Sequence, residues 1–467
     1  MKILKLICAS VFAFSATANA LVRNVPSEYQ TIQSAILACN NGDTVLVQPG
    51  TYLENVNFRN KKIVLTSRFY QNNDYSFIQT TIINGSNPVH PDSASCVIIN
   101  GQQDSTTVLQ GFTLTGGKGT IWNDEHFAGF YREGGGLLVA LCNPVIQYNF
   151  IRDNQCITGG IANSTGGGGV RIGDGYVRFF NNIVMNNTSR YGAGIVLNYT
   201  GGEYRNNVIA KNYGSSQFGA GAGVWMNNTF SRPRVLVNNT IVFNSATGGS
   251  PGVYNSLGLT TLNNNIVWGN TGGNGNQFSG PQMIVTYCNV QGGYAGAGNM
   301  NSEPLFDTTN YYLRTSSPCV DKGDSSVIYN DPADQINPSQ AKWPSRGTIR
   351  NDIGAYGGPL SKVIANSVVS VSSLTENLLP EEMSLSQNFP NPFNPVTLIN
   401  YEIRRSSEVS LVVYDRLGRQ VEMLVSGMQP AGNYSVRFEG TDLPSGSYFY
   451  RFIAGGQMVV RTMMLVK

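Results

Sequence analysis

The residues best suited to chemistry lie in a polar segment between positions 124 and 133. This segment brings carboxylates, an imidazole and a guanidinium together, and such groups can serve as general acids and bases or as cation ligands. Similar residues recur in two later segments, which the repeat described below places on the next two turns of the chain. The candidate catalytic residues are Asp124, Glu125, His126, Arg132, Arg152, Asp153, Arg171 and Asp174.

A structural explanation for these residues stays open, because a solvated loop with ion pairs has the same composition. The sequence contains two histidines and no phosphate-binding loop, nucleophile elbow or metal-ligand spacing. We therefore expect no cofactor, with calcium as the alternative. A net charge of +3 with 13% charged residues gives no electrostatic support for nucleic-acid binding.

The elements that must position these residues come from a repeat marked by asparagine. Its leading Asn recurs after 33, 25, 32 and 26 residues, and a second Asn follows five residues later each time. Repeats of this size indicate coils that stack on one another, each burying its apolar side on the next. The two columns are Asn149, Asn182, Asn207, Asn239, Asn265 and Asn154, Asn187, Asn212, Asn244, Asn270.

Apolar residues alternate within each repeat, which is typical of strands and not of helices. A glycine followed by an aliphatic residue also recurs, as in Gly136-Leu137 and Gly169-Val170. Strands of successive coils would lie about 5 Å apart, so equivalent Asn amides could hydrogen-bond along the axis as ladders. Asn also tolerates left-handed backbone, which suits a turn. Phe112 and Cys288 take the place of the leading Asn in the coils at either end.

Two columns of side chains are expected to point outward from these strands. One runs through residues 152, 185, 210, 242 and 268, and the other through 138, 171, 196, 225 and 254. Both columns are mainly apolar or aromatic, and neither stacks carboxylates on adjacent coils. Trp225, Tyr254 and Trp268 are the candidate binding residues, since their rings could stack on sugars; the alternative is that they pack beneath turns.

The chain begins with features of an exported protein. Lys2 and Lys5 precede an apolar core and a small-residue cleavage site at 18–20, so residues 1–20 are predicted to be a signal peptide. No later segment approaches the ~20 apolar residues of a membrane helix. Six cysteines follow the signal, and either disulfides or buried free thiols are compatible with export.

Residues 25–56 contain a predicted helix at 29–39, a strand at 44–48 and the turn Pro49-Gly50-Thr51-Tyr52. Together with the repeats, this opening resembles the right-handed parallel β-helix of the pectate-lyase-like superfamily. Residues 317–323 and 352–358 are similar to the closing elements of secreted bacterial β-helix proteins. The resemblance implies an all-β, right-handed parallel β-helix over residues 21–360. The aspartates of the closing elements are expected to cap backbone amides at the last coil, with a metal site as the alternative.

Composition shifts at Ser361, which predicts a linker over residues 361–382. Three prolines at 390–395 are followed by short strands separated by turns, a pattern that predicts a small immunoglobulin-like β-sandwich of about seven strands over 383–467. Its ordered motifs resemble the type A C-terminal sorting domain of the type IX secretion system: residues 388–395, Val413-Tyr414-Asp415 with Gly418-Arg419, 445–448 and 464–467. An ordinary adhesion module is the alternative.

The sorting-domain resemblance implies that the secretion machinery is a partner of residues 383–467 and that the protein passes through the periplasm to the outer surface or the medium. We predict a secreted or cell-surface β-helix protein that binds polysaccharide or another extracellular partner without catalysis. One alternative is a lyase, epimerase or esterase acting on uronate-containing glycans through residues 124–174. The other is a purely structural or adhesive surface protein.

Overall fold

The computed structural model describes residues 20–156, 160–215, 217–227, 232–307, 310–364, 384–388, 390–403, 407–416, 418–430, 432–454 and 457–467. Nearly all of the predicted signal peptide and most of the predicted linker lie outside the described residues. The chain divides into two compact units, Met1–Ser370 and Val371–Lys467. Each is described by itself.

The first unit is a parallel β-helix built from three long sheets. Sheet 1 has ten strands: Val22–Val25, Thr44–Val47, Val64–Ser67, Val108–Gln110, Val145–Gln147, Tyr176–Phe180, Gly201–Arg205, Arg234–Val237, Thr260–Asn263 and Met283–Thr286. Sheet 2 has nine: Gly50–Tyr52, Thr81–Asn84, Thr113–Thr115, Phe150–Arg152, Ile183–Met185, Val208–Ala210, Thr240–Val242, Ile266–Trp268 and Asn289–Val290. Sheet 3 has eight: Val56–Asn57, Val97–Asn100, Leu137–Ala140, Val170–Gly173, Ile195–Asn198, Val224–Asn227, Val253–Asn255 and Phe278–Ser279.

Each coil runs through sheet 3, then sheet 1, then sheet 2, and adds one parallel strand to each. Inward side chains of all three sheets form one continuous apolar core, as strand alternation requires. Glycine precedes several sheet 3 strands because the coils approach closely there. A Cβ at Gly194 would lie only 2.5 Å from the carbonyl oxygen of Gly223, so no larger residue fits.

Two columns of buried Asn side chains run along the axis. Nδ2 of Asn207 donates to Oδ1 of Asn239 at 2.9 Å and to the carbonyl of Phe179 at 2.9 Å. Oδ1 of Asn207 accepts the backbone N–H of Asn182 at 2.9 Å. The side chain is therefore saturated, and the same pattern repeats from coil to coil.

The left-handed residue at each turn is the one before the ladder Asn. Asn206 and Asn238 have φ of 55° and 52°, and Tyr148 occupies the same position with φ of 54°. The ladder Asn itself lies outside the left-handed region and supplies side-chain hydrogen bonds along the axis. The first column ends at Phe112, whose N–H donates to Asn149, and at Cys288, whose sulfur accepts the N–H of Asn265.

The first coil is covered by a helix, Ile32–Ala38, shorter than predicted because Thr31 caps its N-terminus with Ser34. Ile32, Ala35 and Ile36 are buried against the core. Two short helices follow at Phe69–Asn72 and Ser76–Thr80, and 3-10 turns lie at Gln217–Gly219 and Val327–Tyr329. All six cysteines after residue 20 are buried free thiols, which decides against disulfides: Cys39, Cys96, Cys142, Cys156, Cys288 and Cys319.

Residues 301–307 and 310–364, here called the closing segment, cover the outer face of sheet 2. Tyr312, Ile353 and Tyr356 pack against the outward side chains of that sheet, including Met185 and Val242. The outward column at 152–268 is therefore largely an interface, which explains its apolar composition. This corrects the placement of residues 352–358 at the last coil: Nδ2 of Asn206 and Asn238 donates to carbonyls of this stretch, several coils earlier.

The aspartates of the closing segment accept backbone N–H groups. Asp352 accepts from Asp321 at 2.8 Å and from Arg346 at 2.7 Å, and Asp321 accepts from Thr348. Asp331 accepts from Asp352 and Gly358. Burial raises the pKa of both Asp331 and Asp352, and their mutual repulsion raises that of Asp331 further. These carboxylates therefore organise the loop.

The second unit is an antiparallel β-sandwich. Its three-stranded sheet consists of Ser384–Leu385, Val396–Ile403 and Gly432–Glu439. Its four-stranded sheet consists of Gln420–Gln429, Ser407–Tyr414, Gly446–Ala454 and Gln457–Leu465, in spatial order. The inward side chains of both sheets, among them Ile399, Phe438 and Phe452, form a separate core.

Candidate functional site

Residues 117–135, here called the arm, form a β-hairpin rather than the solvated loop considered above. Its strands, Gly119–Asn123 and Phe130–Glu133, pair antiparallel and join two short strands, Ser93–Ala94 and Ser164–Gly166. Alternation places Trp122 on the inner side, where it packs against Ile98, Leu138 and Ala140 on the outer face of sheet 3. The arm therefore covers part of the second outward column.

Arg171 anchors the arm to sheet 3. Its guanidinium is fully buried, with Nη2 3.0 Å from Glu125 and Nε 3.1 Å from Glu133. The second oxygen of Glu133 accepts the hydroxyl of Tyr191 at 2.6 Å. Burial raises the pKa of Glu133, while Arg171 and Tyr191 favour its charged form. Both carboxylates belong to the arm and the cation belongs to sheet 3, so these ion pairs hold the arm on the sheet. Arg171, Glu125 and Glu133 are here called the clamp.

Asp124 shapes the tip of the arm. One carboxylate oxygen accepts the backbone N–H of His126 at 2.8 Å, and the other accepts the amide of Asn198 at 2.9 Å. Asn198 in turn accepts from Asn227 on the next coil at 3.2 Å. Asp124 is buried and both of its oxygens are engaged, so its role is to hold the tip.

The tip of the arm lies over the ends of sheet 3 strands, where His126, Asp174, Tyr199 and Arg232 contact one another. The exposed Phe127 follows His126 in the chain, and Tyr176 lies across Gly201 from Arg232. These six residues are here called the tip cluster. Nε2 of His126 lies 3.1 Å from Asp174, and its ring stacks on Tyr199 at 3.6 Å between centroids. Arg232 reaches the same carboxylate at 3.5 Å. Burial raises the pKa of Asp174, and the hydrogen bond with His126 opposes that rise. This pairing can orient an imidazole for proton transfer or for binding.

Phe127 has the most unusual environment in the cluster. Its side chain is 97% exposed, and its backbone is left-handed with φ of 64°. A bulky residue in that conformation is strained by about 1 kcal/mol or more, a cost that glycine would avoid. Its N–H donates to the carbonyl of Asp124 at 3.2 Å, so the left-handed backbone belongs to the turn of the hairpin, whereas the side chain is left in solvent.

Other predicted site residues lie elsewhere. Arg132 donates to the carbonyls of Pro91 and Gly119 and pairs with Asp92 at 2.7 Å, so it holds the base of the arm. Arg152 and Asp153 pair with each other at 2.6 Å at the end of a sheet 2 strand. Their side chains pair with each other, and the contact between this segment and the arm is made by the backbone, where the N–H of Gln155 donates to the carbonyl of Gly117 at 2.9 Å.

The predicted binding aromatics pack beneath turns. Trp225 is 9% exposed, donates to the carbonyl of Phe218 at 2.8 Å and packs on Tyr191. Gly219 sits against the ring of Tyr254. Trp268 donates to Glu303 at 3.1 Å and lies against the closing segment. Trp225 therefore has no open face for a sugar ring, and Tyr254 and Trp268 are half-buried.

Sequence reasoning missed Phe127, Tyr176, Tyr199 and Arg232. A usable signal was present for one pair: Asp174 and Tyr199 each follow the recurring Gly by five residues and occupy equivalent left-handed positions on adjacent coils. Among the described residues no group of three or more His, Cys, Asp or Glu could hold a metal. Within that same part of the chain no helix is long and apolar enough to span a membrane.

Comparison with known families identifies the second unit. Residues 387–467 match the secretion system C-terminal sorting domain, and they form such a domain. A domain of this kind marks a protein for the type IX secretion system and for the cell surface or extracellular space. No curated protein matches the chain.

Proposed function

We propose that the β-helix unit, exported by its sorting domain, binds an extracellular polysaccharide at the tip cluster. The observation that carries this proposal is the exposed, left-handed Phe127 beside the His126–Tyr199 stack. Sugar rings pack on aromatic faces, and their hydroxyls hydrogen-bond to planar groups such as guanidinium and carboxylate. The cluster offers both on a rigid support.

The architecture around the cluster supports binding by preorganisation. Asp124 fixes the turn, and the buried clamp at Arg171 fixes the arm on the sheet. Gly201 lies between Tyr176 and Arg232: a Cβ there would meet both side chains within 3.2 Å. The His126 ring and the Asp174 carboxylate, which hold each other, would therefore need little ordering on binding, and this favours affinity.

The test is calorimetric titration of the purified full-length chain with neutral and uronate-containing polysaccharides. We expect Phe127→Ala to weaken binding about tenfold, the size of one lost stacking contact. Ile336→Ala is the matched control, because Ile336 is also 97% exposed but lies in the closing segment. Equal losses in the two variants, or no binding by the unmodified chain, would contradict the proposal and leave the structural surface role.

The His126–Asp174 pair favours a second candidate, acid–base chemistry on a uronate-containing glycan. Asp174 can hold the imidazole in one orientation while the ring accepts the proton next to the uronate carboxyl group. The released electron pair forms a C=C bond as the glycosidic C–O bond breaks, and the departing oxygen takes a proton from the protonated ring or from water. Ultraviolet absorption by an eliminated product, measured with and without calcium, tests this function. If the unmodified chain forms this product and the His126→Gln variant does not, the function is that of a lyase and the proposal of binding without catalysis is wrong.

A further inference from the structure

The two outer faces of the sorting domain differ in chemistry. The three-stranded sheet presents Leu398, Asn400, Ser435, Arg437 and Glu439, with an ion pair between the last two at 3.1 Å. The four-stranded sheet presents large apolar side chains, here called the methionine face: Met423, Met428, Phe449, Met458, Val460 and Met464. The four methionines are 47% to 68% exposed.

Strand register places these side chains on one face. Met423 pairs with Val412, Val412 with Arg451, and Arg451 with Val460, which makes one row across all four strands. Met458 and Met464 lie two and four residues from Val460 on the last strand, so they share its side. The guanidinium of Arg451 lies 4.9 Å from the ring of Tyr414 within this face.

Two residues of the family motif, Asn388 and Phe393, are internal. Asn388 is buried; its N–H donates to Tyr450 and its side chain to Thr397. Phe393 is buried and its backbone bridges the last strand through Met464 and Val466. A partner of the folded domain cannot contact these side chains. Other motif residues, among them Asn391, Asn394 and Met464, are exposed, and recognition must use exposed residues.

We propose that the methionine face docks the sorting domain on an apolar protein surface of the type IX secretion machinery. The methionine face groups exposed apolar side chains around Arg451 and the polar residues Glu408, Ser410 and Ser426. Such a group of exposed apolar side chains marks an interaction site, and flexible thioethers adapt to an apolar partner. The domain directs export through that machinery, so the machinery is the partner that this surface must serve. The outer face of the three-stranded sheet is mainly polar, so we expect the domain to dock only through the methionine face.

The test follows the full-length chain in its native host by cell fractionation. We expect Met458→Glu with Met464→Glu to shift the chain to the periplasm and to lower its surface and medium level at least about tenfold, since a buried unpaired carboxylate costs more than that factor. Leu398→Glu is the matched control on the opposite face, where Leu398 is 45% exposed. It should be exported normally, as should Met458→Leu with Met464→Leu.

Thermal unfolding of each purified full-length variant separates docking from folding. If the double Glu variant does not fold, Met428→Glu alone replaces it, because Met428 is the most exposed of the four methionines. Normal export of a folded face variant, or equal retention of Leu398→Glu, overturns the proposal. So does a Met458-dependent dimer of the purified chain, or its flotation with phosphatidylethanolamine and phosphatidylglycerol vesicles, since a second copy or lipid would then occupy the face.

Discussion

The asparagine ladders and the arm are both fixed by buried polar side chains, but by opposite arrangements. In the ladders, one neutral residue type repeats and each amide bonds to its equivalent on the next coil. In the arm, a single buried cation joins two carboxylates that come from a different part of the chain. The ladder contact is uncharged and is repeated in each coil. The clamp occurs once, and loss of any one of its partners leaves a buried charge unpaired, which is strongly destabilising.

The clamp should show the largest effect on stability. Arg171→Met removes the cation and leaves Glu133 buried without it, so we expect a loss of about 3–5 kcal/mol in the free energy of unfolding, measured in urea. Arg171→Met combined with Glu133→Gln should recover part of that loss. A loss below about 1 kcal/mol for the single variant would show that the arm releases Glu133 to water at little cost.

The ladder should show a smaller effect. Asn207→Leu leaves the amide of Asn182 and the carbonyl of Phe179 without their partners, so we expect a loss of about 1–3 kcal/mol. Asn123→Leu, at an exposed position of the arm, should stay within about 0.5 kcal/mol. Similar shifts of the thermal midpoint in the two variants would show that the ladder amide is replaceable.

The same comparison explains what could be predicted from sequence. The ladder, the strands and the two outward columns repeat, so spacing alone places Asn207 beside Asn239 and Arg171 beside Val196. The arm occurs once, and nothing local in Glu125 or Glu133 indicates that both meet Arg171. Arg232 is 58 residues from Asp174, a contact that depends on how a whole coil closes. Periodicity therefore predicted the β-helix and the sheet 3 positions of the site, whereas contacts that occur once could not be predicted from the sequence.

The ladder and the closing segment should also differ in how their contribution to stability depends on pH. The ladder has no titrating group, whereas burial raises the pKa values of Asp331 and Asp352 in the closing segment. Above the ordinary Asp pKa near ~4 the folded chain then holds more protons than the unfolded chain. The free energy of unfolding should therefore fall as pH rises, by up to about 1.4 kcal/mol per pH unit for each proton. Below that pKa the two states hold equal protons and the slope disappears.

Urea unfolding between pH 4 and pH 8 measures this dependence. Asp331→Asn should flatten the slope because it removes one titrating group and keeps an oxygen that accepts hydrogen bonds. Asp442→Asn, at an exposed carboxylate of the sorting domain, should leave the slope unchanged. A free energy of unfolding that rises with pH would mean that these aspartates are charged in the folded chain.

The smallest effect on β-helix stability is expected from the largest deletion. The chain forms two compact units with separate cores, so removing residues 384–467 takes away no core residue of the first unit. The free energy of unfolding of the β-helix should change by less than about 0.5 kcal/mol.

Export should change completely, because the deleted residues include the whole sorting domain at 387–467. Cell fractionation should find the truncated chain in the periplasm, folded and resistant to protease. If that chain reached the surface or the medium in normal amounts, the information for outer-membrane passage would lie in the β-helix, and the sorting domain would act only after export.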